Sequence, residues 1–371
     1  MILASVPPTP TLHFGLLNLW CFGGPRRRAR QEQIIAHADL DILCLLEVDP
    51  ADIERFAAAC GLSWWRCSVG ANASDRPLAV AVAGSSRVTP RRQVQLSVDD
   101  FLQDHDGPAI YPELARWYHE RHIAVDVGIS SGAEIRVGAF HATPGTSRGP
   151  GRLGVMGRKP WYHTRIAEWV ATWHAPYLFG VDANTPKRDV LDWADTEVFW
   201  PSGRAGHPGE EFLVGPPEAV RHRARDLWRD WLMSPAGATD LAQVPKGGPL
   251  ARSHQLPGGR WCRYDQVWAT EEVRVVDMRY DYDLSCSDHA LVTATVDVGP
   301  AAEPLSPRRK RSAAGRCPRC GYEFREPGRT RPCRVLRACE RRRLTHPEGY
   351  PPRASGAPDY RTPSSSAHRP V

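Results

Sequence analysis

The chain has 371 residues, 42% of them hydrophobic and 9% aromatic, with thirteen tryptophans. That is enough for one large domain or two ordinary ones, and it excludes a wholly disordered chain. The net charge of +6 hides an asymmetry: residues 301–371 hold seventeen Lys/Arg against six Asp/Glu, a surplus of eleven, and the first 300 residues hold 31 against 36, a net −5. No stretch approaches a membrane span, and the opening MILASVPPTPTLHF lacks the charged region and the apolar run of a signal peptide.

Ten cysteines divide into two groups. Cys21, Cys44, Cys60, Cys67, Cys262 and Cys286 are scattered, several in apolar surroundings, as expected of reduced thiols in a cytoplasmic protein. The other four cluster near the C-terminus. A monomer without a transmembrane segment is expected.

In chain order, residues 1–10 read as a disordered N-terminus, and Thr11–Trp20 is apolar and strand-like with Asn18 near its end. Arg26–Ala38 reads as a helix with Ile34 and Ile35 as its apolar seam. Asp41–Val48 is a continuous apolar run, as expected of a buried strand, with Glu47 at its C-terminal end. Ala51–Cys60 reads as a helix stopped by Gly61, and Trp64–Cys67 and Leu78–Ala83 as strands. Arg87–Glu120 is irregular with some helix. Ile123–Ile129 and Glu134–Ala142 alternate like an antiparallel pair joined by Ser130-Ser131-Gly132.

The second half repeats this texture. Gly145–Gly157 is a Gly/Arg-rich loop, Trp161–His174 a helix, and Tyr177–Val181 a strand ending in Asp182-Ala183-Asn184. Thr196–Pro217 is an insertion-like loop, Ala219–Met233 a helix carrying Trp228 and Trp231, and Ser234–Arg260 is Pro/Gly-rich. Between Trp261 and Val298 the period-2 pattern returns on both sides of Ser287-Asp288-His289, placing Asp265 and Asp288-His289 at strand starts or in the loops beside them. Both halves run strand, helix, strand, which predicts two sheets packed face to face with helices outside. From Ala301 onward Pro, Arg, Ser and Gly dominate and the periodicity ends, as in a disordered basic tail.

Six fragments border apolar runs: Asn18, Glu47, His141, Asp182-x-Asn184, Arg263-Tyr264-Asp265 and Ser287-Asp288-His289. A carboxylate at the end of a buried strand is costly unless it is paired or bound to metal. Carboxylates and imidazoles converging at the edge of a rigid sheet suit a divalent-metal or acid/base site.

In this order and spacing the fragments resemble the endonuclease/exonuclease/phosphatase superfamily, over roughly residues 11–298. The resemblance implies a four-layer α/β sandwich, two packed mixed β-sheets flanked by helices, and Mg²⁺-dependent hydrolysis of a phosphate ester, with Mn²⁺ as a substitute. It further implies Glu47 as the main metal ligand, supported by Asn18 and Asp288, hard oxygen donors of the kind Mg²⁺ takes. His289 would contact the scissile phosphate and help activate water, and Asp265 would orient His289. Asp182 would position or deprotonate the attacking water, Asn184 would donate to the phosphoryl oxygens, and His141 would contact the phosphate or help the leaving group.

The chain departs from the family pattern in places. Gly180 stands one residue further from Asp182 than usual, Leu46 precedes Glu47 where a Gln is usual, and Trp20 stands where some nucleases carry a second carboxylate. These departures weaken a specific abasic-site endonuclease assignment and leave the hydrolase expectation intact. Nucleic acid is the favoured substrate. Phosphomonoesters, phospholipids or inositol phosphates on the same site, and an inactive nucleic-acid-binding relative, are the alternatives.

In the tail, Cys317-Pro-Arg-Cys320-Gly has the shape of half a zinc knuckle. Cys333 and Cys339, with His346 as a substitute, would have to supply the other half at irregular spacing; the alternative is a basic tail with incidental cysteines. Either way Arg308–Arg311 and Arg341–Arg343 attract polyanions, whether nucleic acid or an anionic membrane surface.

Overall fold

A computed structural model of the chain describes residues 11–19, 24–68, 78–102, 115, 118–130, 132–142, 155–174, 176–198 and 209–299. The segment 1–10, Trp20, most of the Gly/Arg-rich loop and everything from residue 300 onward, with the four tail cysteines, lie outside these described residues.

The strands are β1 (Thr11–Asn18), β2 (Ile42–Val48), β3 (Trp64–Cys67), β4 (Ala79–Gly84), β5 (Val88–Val94), β6 (His122–Ile129) and β7 (Glu134–His141). They continue as β8 (Tyr177–Asp182), β9 (Arg225–Asp226), β10 (His254–Gln255), β11 (Trp261–Cys262), β12 (Asp265–Ala269), β13 (Val273–Asp281) and β14 (Leu291–Val298). One six-stranded sheet runs β13-β14-β1-β2-β4-β3 and the other β5-β6-β7-β8-β12-β9. Each sheet has one parallel pair, β1/β2 and β7/β8, among antiparallel neighbours. A parallel pair needs a crossover. The helices Gly24–His37 and Val155–Ala171 supply the two crossovers.

Alternation explains why the sheets pack. Leu12, Phe14 and Leu16 of β1 and Ile42, Cys44 and Leu46 of β2 face inward, against Ile123, Val125 and Val127 of β6, Val137 and Ala139 of β7, and Leu178 of β8. Fully burying each large aliphatic side chain is worth about 1.5–3 kcal/mol, so this inter-sheet layer holds much of the fold together. The approach is close: a Cβ on Gly180 would lie 2.9 Å from Leu16 Cδ1. The outer faces bury Tyr162, Ile166 and Val170 of the helix Val155–Ala171 on one side, and Ile35, Ile53 and Phe56 of the helices Gly24–His37 and Ile53–Ala59 on the other. The result is four layers, helix, sheet, sheet, helix, as the sequence predicts.

Several local expectations are corrected. Arg87–Glu120, read as irregular, contains β5, an edge strand whose residues after Val88 are exposed or half-buried. Polar edge strands do not alternate, and Pro90 is tolerated at the register shift between Pro90 and Arg92. Ala219–Met233 is a helix only over Leu227–Leu232. Arg225 and Asp226 pair with β12 instead, and the Asp226 side chain accepts from the N–H groups of Trp228 and Arg229, which starts the helix there. Short helices at Gly209–Val214 and Ala238–Gln243 occupy segments read as loops.

Candidate active site

The polar candidates are the next residues in the inward-facing alternation. Asn18 follows Leu12, Phe14 and Leu16; His141 follows Val137 and Ala139; Asp182 follows Leu178 and Gly180. Asp265 precedes Val267 and Ala269 on β12. Because the side-chain period of a strand is two, each points into the space between the sheets where the apolar layer stops. Asp182 lies opposite His141 in the parallel β7/β8 pair and opposite Asp265 in the antiparallel β8/β12 pair. Asp288 and His289 arrive just before β14, whose start lies beside the end of β1. The site therefore occupies the carboxyl ends of both parallel pairs, where ligands bind in open α/β sheets.

Glu47 breaks the alternation. Leu46 faces inward, so Glu47 should face out. Its φ of +51° and the register shift between Leu45 and Val48 redirect it. Its Oε1 lies 3.2 Å from His141 Nε2, on the other sheet. Among the described residues only Asp39, Glu47 and Asn184 are non-glycines with positive φ, and two of these three are site candidates. Such backbone is costly and is retained where the surroundings enforce it.

Three contacts bring candidates from the two sheets together. Asn18 Nδ2 donates to Asp182 Oδ2 at 3.1 Å, His141 meets Glu47 as above, and His289 Nδ1 lies 2.8 Å from Asp265 Oδ2. Around them, Asp182 Oδ1 accepts from the Asn184 N–H at 3.0 Å, and Asp182 Oδ2 is 3.8 Å from His141 Nε2 and 3.9 Å from His289 Nε2. Asn184 spends one amide hydrogen on the Ala142 carbonyl at 2.9 Å.

The charges are settled by these neighbours. Burial works against ionising Glu47, but the His141 hydrogen bond and the nearby positive charges of Arg121 and His289 hold its pKa down to about 2. Burial also disfavours a charged His289, but Asp265 and Asp182 hold it up to about 10. Burial pushes the Asp265 carboxyl up, and the facing imidazole pulls it back. These carboxylates therefore favour the protonated imidazole of His289 near neutral pH.

Several candidates carry oxygen donors of the kind a divalent cation takes. Glu47 is an ionised carboxylate, Asp288 is a half-buried one, and Asn18 offers an amide oxygen. Asp265 Oδ1 is buried without a hydrogen-bond partner among the described residues, so a lone pair faces the site unused. Two groups of metal-ligating side chains have one ligand atom each within 4.8 Å of one another: Asp182, Asp265 and His289, and His254, Asp288 and His289. Neither includes Glu47.

Sequence reasoning missed the supporting residues. Arg121 Nη1 donates to His141 Nδ1 at 3.0 Å. A guanidinium only donates, so Nδ1 accepts and Nε2 carries the hydrogen that faces Glu47. Lys159 Nζ donates to the Asn184 carbonyl at 2.5 Å and pairs with Glu210 at 2.9 Å. Ser253 Oγ accepts from the N–H groups of Tyr264 and Asp265, and Ser287 Oγ donates to the Asn18 carbonyl while accepting from the His289 N–H. Arg263 forms a buried ring of ion pairs with Asp189, Asp226 and Arg229, tying the loop after Asn184 to β12. Of these only Arg263 and Ser287 lay within fragments the sequence singled out.

No family model and no curated relative matches the sequence. Solved structures do match. The human Nocturnin catalytic domain, determined with a bound sulfate anion, is 12% identical over 79% of this chain and 96% of its own, with a TM-score of 0.50. TDP2 from D. rerio in complex with a single-strand DNA product is 13% identical over 78% of this chain and 99% of its own, at a TM-score of 0.49. An endonuclease/exonuclease/phosphatase protein from Beutenbergia cavernae is 17% identical over 78% and 72%, at 0.48. No helix among the described residues is long and apolar enough to cross a membrane. With its two six-stranded mixed sheets packed face to face between helices, the chain shares the fold of the human Nocturnin catalytic domain.

Proposed function

We propose that this chain is a metal-dependent phosphoric ester hydrolase that cleaves phosphodiesters, with nucleic acid as its substrate. The observation that carries the reading is the convergence, across two sheets, of an ionised Glu47, a buried Asp182 and a His289–Asp265 pair at the carboxyl ends of both parallel strand pairs. A phosphodiester resists hydrolysis because its oxygens are negative and water is a weak nucleophile. The site must orient or deprotonate a water and stabilise added negative charge.

In this reading Glu47, Asn18 and Asp288 would hold Mg²⁺, with Mn²⁺ as a substitute. When bound, the ion would supply positive charge to a phosphoryl oxygen. Asp182, held by the amides of Asn18 and Asn184, orients the attacking water and takes its proton. His289 donates from Nε2 to the phosphoryl oxygens while Asp265 fixes its ring through Nδ1. The remaining amide hydrogen of Asn184 is directed at the same oxygens. His141, bound to Glu47, keeps that carboxylate aimed and contacts the substrate at the site's edge. Support for nucleic acid comes from the surplus of eleven positive charges after residue 300, which recruits polyanions by counterion release.

The test is a cleavage panel of single- and double-stranded DNA, RNA, sphingomyelin, inositol phosphates and a bis-aryl phosphate, with Mg²⁺, Mn²⁺ or EDTA. Metal-dependent cleavage of a nucleic acid is the expected result. Undiminished cleavage in EDTA would end the metal-hydrolase reading, and metal-dependent turnover of a lipid or inositol phosphate alone would move the substrate.

A further inference from the structure

His254 lies beside the proposed hydrolytic residues, and nothing in the hydrolytic scheme uses it. With Asp288 and His289 it brings one ligand atom per residue within 4.8 Å of the others. The backbone builds this grouping: His254 and His289 face each other across an isolated antiparallel bridge. The half-buried His254 ring stacks on Tyr264 at 5.5 Å and 19°, and its centroid is 4.4 Å from that of His289.

Hydrogen bonding decides which nitrogen of each ring is available. His254 Nδ1 lies 3.0 Å from the Asp288 carbonyl oxygen. A carbonyl only accepts, so Nδ1 carries a hydrogen, and in the neutral ring Nε2 is the nitrogen with the lone pair. His289 Nδ1 faces Asp265 Oδ2 at 2.8 Å, which leaves Nε2, 3.9 Å from Asp182 Oδ2, as the nitrogen not engaged by Asp265. An imidazole whose Nδ1–H is held by a carbonyl or carboxylate and whose Nε2 is presented outward is the arrangement protein metal ligands adopt. Two such imidazoles and one carboxylate make a donor set that favours Zn²⁺, Co²⁺ or Ni²⁺ over Mg²⁺, which prefers oxygen.

We propose that His254, Asp288 and His289 form a binding site for a first-row transition-metal cation, exemplified by Zn²⁺, that caps His289 and switches hydrolysis off. Binding exchanges the proton on His289 Nε2 for the metal, releasing that proton, and withdraws the imidazole from the phosphoryl oxygens. Asp288 is shared with the proposed Mg²⁺ site, so the two ions compete. The inhibitory consequence rests on the hydrolase reading; the binding site does not.

The test uses the full-length, metal-free protein titrated with Co²⁺ and followed by visible absorption. Thiolate ligation by the C-terminal cysteines adds near-ultraviolet charge-transfer bands that nitrogen and oxygen ligands lack, so the two kinds of site are told apart. The expected result is a saturable thiolate-free band whose affinity falls about tenfold or more in His254→Gln. His254→Phe, which keeps a ring on Tyr264, is expected to behave alike, with circular dichroism confirming the fold. Equal affinity and an unchanged spectrum in the variants would overturn the site. In the second arm Zn²⁺ is added to Mg²⁺-supported cleavage, each protein normalised to its own rate. His254→Gln is expected to need about tenfold more Zn²⁺ for half-inhibition, and equal sensitivity would overturn the inhibitory role. If no substrate is cleaved, the hydrolase reading fails while the Co²⁺ titration still decides the site.

Discussion

Asp265, at the start of β12, and His289, just before β14 of the other sheet, meet at 2.8 Å, the carboxylate Oδ2 facing the imidazole Nδ1. The pair fixes both the ring's orientation and its charge. His289→Ala should therefore lower single-turnover cleavage by about a hundred- to ten-thousand-fold at saturating Mg²⁺. Asp265→Asn should cost less, since the ring stays in place and loses only a charge partner. The double variant should lose far less than the product of the two, because the groups act as a unit. His289→Ala cleaving within a few-fold of the parent would make the pair structural.

Glu47 is held ionised by its hydrogen bond to His141 and, in the proposed function, is the main metal ligand. Glu47→Gln keeps the shape and removes the charge. Most of the cleavage should disappear, and the Mn²⁺ concentration needed for half-maximal activity should rise at least tenfold. An unchanged metal requirement would place the ion elsewhere.

The fold should weaken in mild acid for reasons remote from the site. Buried His122 donates from Nδ1 to the Tyr118 carbonyl and accepts at Nε2 from the Leu96 N–H; His222 donates from Nε2 to the Leu213 carbonyl and accepts at Nδ1 from the Ala224 N–H. Both patterns need the neutral ring. Burial pushes their pKa values down to about 3 and about 4, from 6.5 when exposed. Between those limits the unfolded chain binds more protons, so stability rises with pH there. It is fully present above 6.5 and lost as pH falls toward 3–4. Thermal melts from pH 7 to pH 5 should show a falling midpoint, with a shallower slope in His222→Phe. A flat midpoint in the parent would contradict the neutral-ring geometry.

Arg263 is fully buried and faces both Asp189 and Asp226. Arg263→Met removes one member of a balanced ring and strands its partners. The expected loss is about 3–5 kcal/mol, the cost of leaving a buried charge uncompensated. Denaturant unfolding measures it, and a loss below 1 kcal/mol would show that water or rearrangement satisfies the two carboxylates.

Much of the fold and site was legible because strands at the edge of a core carry a simple code: an apolar alternation interrupted by one polar residue. Asn18, His141, Asp182 and Asp265 each stand at such an interruption. Glu47 was legible as a carboxylate ending an apolar run, but its redirection by left-handed backbone was not. Strand β5 fell in a stretch without periodicity, because an exposed edge leaves no pattern, and Arg121 lay between that stretch and the strand read from Ile123. Arg121, Lys159 and Ser253 act through contacts far away in sequence, with His141, Asn184 and Asp265, and no local signal marks such partners. His254 lay in a Pro/Gly-rich segment and was invisible for the same reason.

The order of the strands has a consequence for synthesis. The first sheet takes β1 to β4 from the beginning of the domain and β13 and β14 from its end, while the second is laid down whole in between. As the chain leaves the ribosome, β1 must wait for β14 before its outer edge is covered. Asp288 and His289 are delivered with that last strand. On the proposed reading the site therefore stays incomplete until the domain is almost finished, and the apolar edge of β1 stays uncovered by β14 during that interval.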